Sequence, residues 1–519
     1  MNPASLFFLG LALYGAADDA RYVDATLEPE GEILSARFLD VDLTGTPELV
    51  LALRREDGGR ELRFHRLRGT TLEPDPFRTV EVLRDVVAWT LADVRPDPGR
   101  ELLFLTRGGV YSYSLEKEGY AGNLERLVSE ELIYDVPDPY ELPYWSYVFE
   151  GPRGEWLLVP TADALVVWSP GDEEPRPAEA TYRLTLPPEE AEEDGDDDDN
   201  DTRVSIGPGG FRIEHRREGL PDLFLTSDVE ADGLLEHGRS TPAPAVVDVD
   251  GNGHPDLLRR MGESLHVHLA DGNGRLPAAP TRVEAFPEWM RTEEDDEQEL
   301  TLHDFDGDGR TDLLVKHIPK REDFGNGKIL LRIVVNDGQR LLAEKPTQEL
   351  RFEGAEVRVH VTDVDGDGRV DLALRKFELP SLLGTVSGIE FKVTHLLHLG
   401  EKGRRPFARK PEMKVERSFD ESSLTEAIRN RRLELDCSGD GIADLVEIDP
   451  QGRIAIRRIV REKSFFGGTS WDVEPTPYLR FDTWGDLSSI EVEDLNGDGL
   501  GDVVSVGSEA LTLLLSDRR

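Results

Sequence analysis

Residues 304–314 read DFDGDGRTDLL, a loop with carboxylates at alternate positions, two glycines, and a fourth carboxylate that opens an apolar strand. The phrase returns as DVDGNGHPDLL from Asp248, DVDGDGRVDLA from Asp363, DCSGDGIADLV from Asp436 and DLNGDGLGDVV from Asp494. Copies in one register make the chain an array, to be read repeat by repeat. Calcium takes six to eight oxygen ligands. A turn this tight can aim the side chains of positions 1, 3 and 5 inward, with the position 7 carbonyl and the position 9 carboxylate completing the shell. The ligand sets predicted on that basis are Asp248, Asp250, Asn252, His254 and Asp256; Asp304, Asp306, Asp308, Arg310 and Asp312; Asp363, Asp365, Asp367, Arg369 and Asp371; Asp436, Ser438, Asp440, Ile442 and Asp444; and Asp494, Asn496, Asp498, Leu500 and Asp502. His254, Arg310, Arg369, Ile442 and Leu500 stand at position 7, where only the main-chain oxygen is used. Glycines at positions 4 and 6 permit the left-handed backbone that closes so small a circle. The expected cofactor is Ca2+, at about five structural sites.

An EF-hand is excluded by the residues. Its loop needs a bidentate Glu at position 12, where this chain has Arg259, Val315, Leu374, Glu447 or Ser505, and the segment beyond each loop is strand-like rather than helical. A nine-position loop feeding a strand, repeated at this period, resembles the FG-GAP / VCBS repeat family, best known as the integrin α-subunit head propeller. The resemblance implies a β-propeller in which calcium ties two strands of one blade together on the underside of the ring. It implies little about activity, because a fold does not fix a function.

First aspartates at 248, 304, 363, 436 and 494 are 56, 59, 73 and 58 residues apart, a constant unit with one insertion. Worn copies precede them: DVDLTGTPELVLAL from Asp40, DVRPDPGRELLFLT from Asp93, and a trace in GPRGEWLLV at 151–159. For Asp40, Asp42, Thr44 and Glu48, metal binding and a bare turn are equally good readings. At Asp93 the third position is Arg95, whose charge replaces an ion. Apolar alternation over five to seven residues, closed by Gly/Asp/Asn turns, predicts half-buried strands and hairpins. The chain is therefore expected to be all-β, a β-propeller of seven or eight four-stranded blades with eight the better fit. The segment from Arg21 to Ala36 should supply the outer strand of the last blade and close the ring, removing an exposed edge. GLPDLFL at 219–225 leaves the blade count uncertain by one.

Some segments depart from the repeat. ESSLTEAIRNRR (421–432) reads as an inserted helix with a serine cap. EEDDEQE (293–299) reads as an exposed blade edge. About 187–203 the chain carries ten acids between Glu189 and Asp201, a density at which self-repulsion opposes packing, and a disordered insertion is expected. Tyr140, Tyr144, Trp145 and Tyr147 form an aromatic cluster that reads as core or as a ligand face.

The 519 residues carry a formal charge of −45, which repels nucleic acid and anionic membranes. Five divalent ions would still leave about −35. No disulfide can form within the chain, because Cys437 is its single cysteine. MNPASLFFLGLALYGAA is too short and apolar for anything but a secretory signal over residues 1–17 or a buried strand. The expected organisation is a signal before a single propeller domain over 18–519, secreted or held in the cell envelope, monomeric and not inserted in a membrane. No Ser/His/Asp signature, phosphate loop or zinc spacing is present, and paired carboxylates are too common to signal acid–base chemistry. The function expected is a protein- or glycan-binding or adhesion scaffold with an unidentified extracellular protein or glycan as partner, not an enzyme. Alternatives are a propeller hydrolase or lyase acting on polysaccharide, and a purely structural envelope protein.

Overall fold

In the computed structural model the chain is described at residues 21–115 except 96–97, at 123–129, 132, 141–168 except 152–153 and 161–163, in strands between 182 and 226, and at 244–518 except for loop segments at 262, 292–296, 320–325, 380–389, 403–404, 421–430, 434, 450–452, 464–468 and 483–486. The signal-sequence reading for residues 1–17 lies outside the described residues. Described helix amounts to one 3-10 turn, Glu288–Met290.

Eight blades, each built on four antiparallel strands, follow one another; the sheet of blade 5 gains a fifth strand, and that of blade 6 is extended beyond its outer strand by the hairpin Ile459–Lys463 with Thr469–Val473. Blade 1 holds Glu32–Leu39, Glu48–Arg54, Arg60–His65 and Arg78–Val82, and blade 2 holds Val86–Ala92, Glu101–Thr106, Gly109–Tyr113 and Leu124–Val128. Blade 3 runs Val148–Gly151, Gly154–Pro160, Ala164–Trp168 and Tyr182–Thr185, and blade 4 runs Ala245–Val247, Asp256–Met261, Ser264–His268 and Arg282–Ala285. Glu297–His303, Asp312–Ile318, Gly327–Val334 and Gln348–Gly354 make blade 5; Glu356–Thr362, Asp371–Glu378, Glu390–His398 and Met413–Asp420 make blade 6. Blade 7 comprises Arg431–Arg432, Leu445–Ile448, Ile454–Arg457 and Leu479–Phe481. Leu487–Glu493, Asp502–Gly507 and Leu511–Asp517 form blade 8, and its fourth strand is Arg21–Leu27, paired antiparallel from Arg21 with Asp517 to Leu27 with Leu511. The ring is therefore closed by the N-terminal strand, as the sequence predicts. Only Arg21–Leu27 does this, since Glu32–Leu39 is already the inner strand of blade 1.

Second strands are near-continuous apolar runs because both of their faces are covered. In blade 1, Leu49, Leu51 and Leu53 pack against Val504, Leu511, Leu513 and Leu515 of blade 8. On the other face Val50 and Ala52 join Trp89, Leu91, Leu102 and Phe104 of blade 2. A blade alone could bury neither face; stacking around the ring buries both. Leu51 is fully buried, so Leu51→Ala should cost about 2–5 kcal/mol in guanidinium unfolding. A loss within ~0.5 kcal/mol, typical of surface sites, would contradict blade-to-blade packing.

Several sequence expectations are corrected. GLPDLFL contributes no blade: Leu223–Thr226 is an additional strand, parallel to the inner strand of blade 5. Of EEDDEQE, 293–296 lie outside the described residues, while its last three residues belong to that inner strand, Glu297–His303, with Gln298 buried rather than at an exposed edge. Arg431–Arg432 is strand rather than helix end, and 421–430 lie outside the described residues. Most of the acidic insertion also lies outside them, but Thr202 and Arg203 begin a hairpin, Thr202–Gly207 with Gly210–His215. Tyr144, Trp145 and Tyr147 are core: Trp145 and Tyr147 are buried and Tyr144 meets Trp89 edge-on at 5.0 Å, while Tyr140 is not described. Their segment lies parallel to the inner strand of blade 2, with Trp145 N–H donating to the Trp89 carbonyl at 2.7 Å. Two added segments thus cover inner strand edges, at blades 2 and 5.

Candidate metal centre

Each predicted loop joins the first strand of a blade to its second. Position 2 drives an apolar side chain into the core: Val249, Phe305, Val364, Cys437 and Leu495 are all buried. That anchor leaves positions 1, 3 and 5 on the outer side of the turn. Asp304 accepts the N–H groups of Gly307 and Asp308 at 2.8 and 3.1 Å, and that of Gly309 at 2.8 Å. Gly307 and Gly309 sit at φ 77° and 87°, where an L side chain is strained. The other four loops repeat this wrap around Asp248, Asp363, Asp436 and Asp494.

Position 9 has a second task that sequence spacing does not reveal. One oxygen of its carboxylate accepts the position 2 N–H: Asp256 from Val249, Asp312 from Phe305, Asp371 from Val364, Asp444 from Cys437 and Asp502 from Leu495. In four loops the other oxygen accepts an N–H at the far end of the third strand, from Ala270, Asn336, Gly400 or Ser516. The carboxylate therefore ties three strands of the blade. Burial holds these groups far above the ordinary carboxylate range: Asp256, Asp371 and Asp502 to about 6, Asp312 to about 7, and Asp444 to about 8.

A metal fits this donor set. Ligand oxygens lie within 4.8 Å of one another in Asp248/Asp250/Asp256, Asp304/Asp306/Asp308 and Asp363/Asp365/Asp371. Burial and then the neighbouring loop carboxylates raise Asp306 and Asp365, the strain that a cation relieves. Asp365 and Asp444 each keep a buried Oδ1 without a hydrogen-bond partner. In the fourth and fifth loops position 3 is Ser438 or Asn496, so fewer carboxylates converge. Asn496 Nδ2 donates to the Ser516 carbonyl at 2.7 Å, and its amide oxygen accepts the Asp498 N–H. At position 7 the structure adds what the sequence does not show. The guanidinium groups of Arg310 and Arg369 pair with Asp308 and Asp367 of their own loops, and Leu500 is buried in the core.

The worn copies separate into two kinds. Asp40, Asp42 and Glu48 converge like the full loops, and Glu48 accepts the Val41 N–H at 2.9 Å. Leu43 occupies the glycine position there at φ 59°. In the Asp93 loop, Arg95 donates to Ser112 Oγ and to the Ser112 carbonyl, both at 2.9 Å, and pairs with Glu125. Arg100 bridges Glu155 of blade 3 at 2.6 Å and the Asp40 carbonyl of blade 1 at 2.9 Å. Guanidinium groups thus add ties within blade 2 and across blades 1 to 3. Arg95→Ala should therefore destabilise the fold by about 1–3 kcal/mol to the same extent with calcium and with chelator. A loss seen with calcium alone would contradict the assignment.

These features define a repeat propeller with acidic loops between the first and second strands of its blades. The family model for the FG-GAP-like repeat matches residues 248–315 and 304–374, so the chain carries FG-GAP-like repeats in blades 4 to 6. No curated protein sequence matches the chain significantly. Among solved structures, one titled for specific recognition of non-reducing terminal N-acetylglucosamine by an Agrocybe aegerita lectin is similar at 17% identity, covering 59% of this chain and 71% of that one, with a TM-score of 0.31. A likeness that low carries no argument about this chain.

Proposed function

We propose that this protein is an extracellular, calcium-stapled β-propeller that works as a binding scaffold for a protein or glycan. The observation that carries the reading is the use made of the carboxylates: those of the repeats wrap loops and tie strands rather than converging on a central pocket. Bound calcium would neutralise loop carboxylates that otherwise repel one another. Asp304, Asp306, Asp308 and Asp312 would hold it in blade 5, with their equivalents in blades 4, 6, 7 and 8, and Asp40, Asp42 and Glu48 in blade 1. Added chain segments on the inner edges of blades 2 and 5 favour binding over catalysis, because they cover strand edges from which a central pocket would be built. No helix among the described residues is long and apolar enough to cross a membrane. Weak loops of this kind suit the millimolar calcium outside cells.

A panel of glycans and envelope proteins probed with the calcium-loaded chain tests the reading. The expected result is saturable binding without chemical change of the ligand. Release of new reducing ends from a polysaccharide would replace the scaffold with an enzyme.

A further inference from the structure

The interface between blades 3 and 4 contains buried hydrogen-bond donors that meet no acceptor. Arg259, on the second strand of blade 4, is 3% exposed, and its Nε and Nη2 are buried without hydrogen-bond partners. Those two atoms form the edge on which a guanidinium grips a carboxylate or phosphate with parallel hydrogen bonds. Trp168, at the end of the third strand of blade 3, has a buried Nε1 in the same condition. It packs in the cluster that includes Leu257, two residues before Arg259. Each of these unmatched atoms is a donor, so the missing chemistry is an acceptor.

Strand alternation places Arg259 on the same face as Leu257, the face turned to blade 3. Across the sheet Arg259 pairs with His266, and His266 with Val283 of the outer strand. The row runs from buried Arg259 through half-buried His266 to Val283, which is 57% exposed, so it leads from a buried cation to the exposed outer strand of the blade. A guanidinium cannot discharge near neutral pH, and a buried ion with no counter-ion is strongly destabilising. Burial alone lowers the Arg259 pKa, with no carboxylate opposing it.

We propose that the interface between blades 3 and 4 holds an oxyanion site, in which the Nε/Nη2 edge of Arg259 takes a carboxylate or phosphate group and His266 stands beside it on the neighbouring strand. The ligand class is a small organic acid or the acidic end of a longer molecule. Site and class stand apart from the calcium loops and from the scaffold reading.

Thermal unfolding of the full chain at fixed ionic strength, with chloride exchanged for acetate or sulfate, tests the site. The midpoint should rise by about 2–4 °C when the anion reaches about 100 times its Kd. Arg259→Met should abolish that rise, yet in chloride alone it should unfold at the same or a higher temperature, because it removes an uncompensated charge. His266→Gln should weaken the rise and leave the chloride midpoint in place. Deleting residues 187–201 separates two sources of the oxyanion. A rise in both chains assigns the site to free ligand, and a rise only after deletion assigns it to carboxylates of the acidic run. No rise in either chain, or an equal rise in Arg259→Met, would overturn the proposal.

Discussion

Chelating calcium should lower the unfolding midpoint by about 5–10 °C and reverse the sign of its pH dependence. The size follows from about five sites, each contributing about 1–2 kcal/mol at calcium several times Kd. They act on a chain of roughly 500 residues whose unfolding entropy is near 1 kcal/mol per kelvin. The sign follows from the position 9 carboxylates. Without metal their folded pKa values, from about 6 to about 8, stand above the ordinary 3.8 because burial disfavours the charge. A carboxyl group raised in the fold contributes stability that is complete below its unfolded pKa. That stability is lost as pH rises through the folded value. The chelated protein should accordingly lose stability from pH 4 to pH 8. Calcium requires the ionised form and reverses the preference, so the loaded protein should gain stability across the same window. Parallel slopes with and without calcium would mean that these carboxylates do not answer to the metal.

Breaking ring closure should be the most damaging change outside the loops. Tyr22 is fully buried, and its hydroxyl shares one proton between the carbonyls of Cys437 and Gly501, at 2.8 and 2.7 Å. Its ring meets Phe481 edge-on at 5.8 Å. The closing strand is thereby pinned to the acidic loops of blades 7 and 8 together, where Gly501 N–H also donates to the Asp436 carbonyl. Tyr22→Phe removes only the hydroxyl and leaves the two carbonyls one donor short, a loss of about 1–3 kcal/mol. Tyr22→Ala also empties the ring's space, about 3–5 kcal/mol by analogy with other aromatic truncations. Deleting Arg21–Leu27 would free the whole edge of Leu511–Asp517, a template for association with other chains. Light scattering alongside denaturant unfolding should show Phe mildest, Ala intermediate, and the deletion both least stable and associating. A deletion variant that remains monomeric with an unchanged midpoint would contradict closure by this strand.

The loop register carried most of the architecture, because each copy obliges one strand before it and one after it, and the turns supply the rest. It placed the closing strand and the worn copies at Asp40 and Asp93. It overreached where composition stood in for packing. At the end of the serine-capped run 421–432, whose first ten residues lie outside the described ones, Arg431–Arg432 pairs with Val446 and Glu447, a long-range contact no local pattern encodes. The aromatic group at 144–147 reads from sequence as core in preference to a ligand face, and the strand it lies against makes it core. At the loops, ligand types and spacing were legible, but the strand-tying role of position 9 was not. Its partners at Ala270, Asn336, Gly400 and Ser516 lie 14 to 29 residues away in sequence. Arg100 was missed for the same reason: its contacts with Asp40 and Glu155 join three blades, and nothing near residue 100 announces them.

The most direct test counts the ions. Elemental analysis of the full chain after equilibrium dialysis at saturating calcium should give five to six calcium ions per chain, the sixth in the Asp40 loop, and Asp304→Ala should remove one. A plateau at one ion or none would contradict the assignment of these repeats as calcium staples.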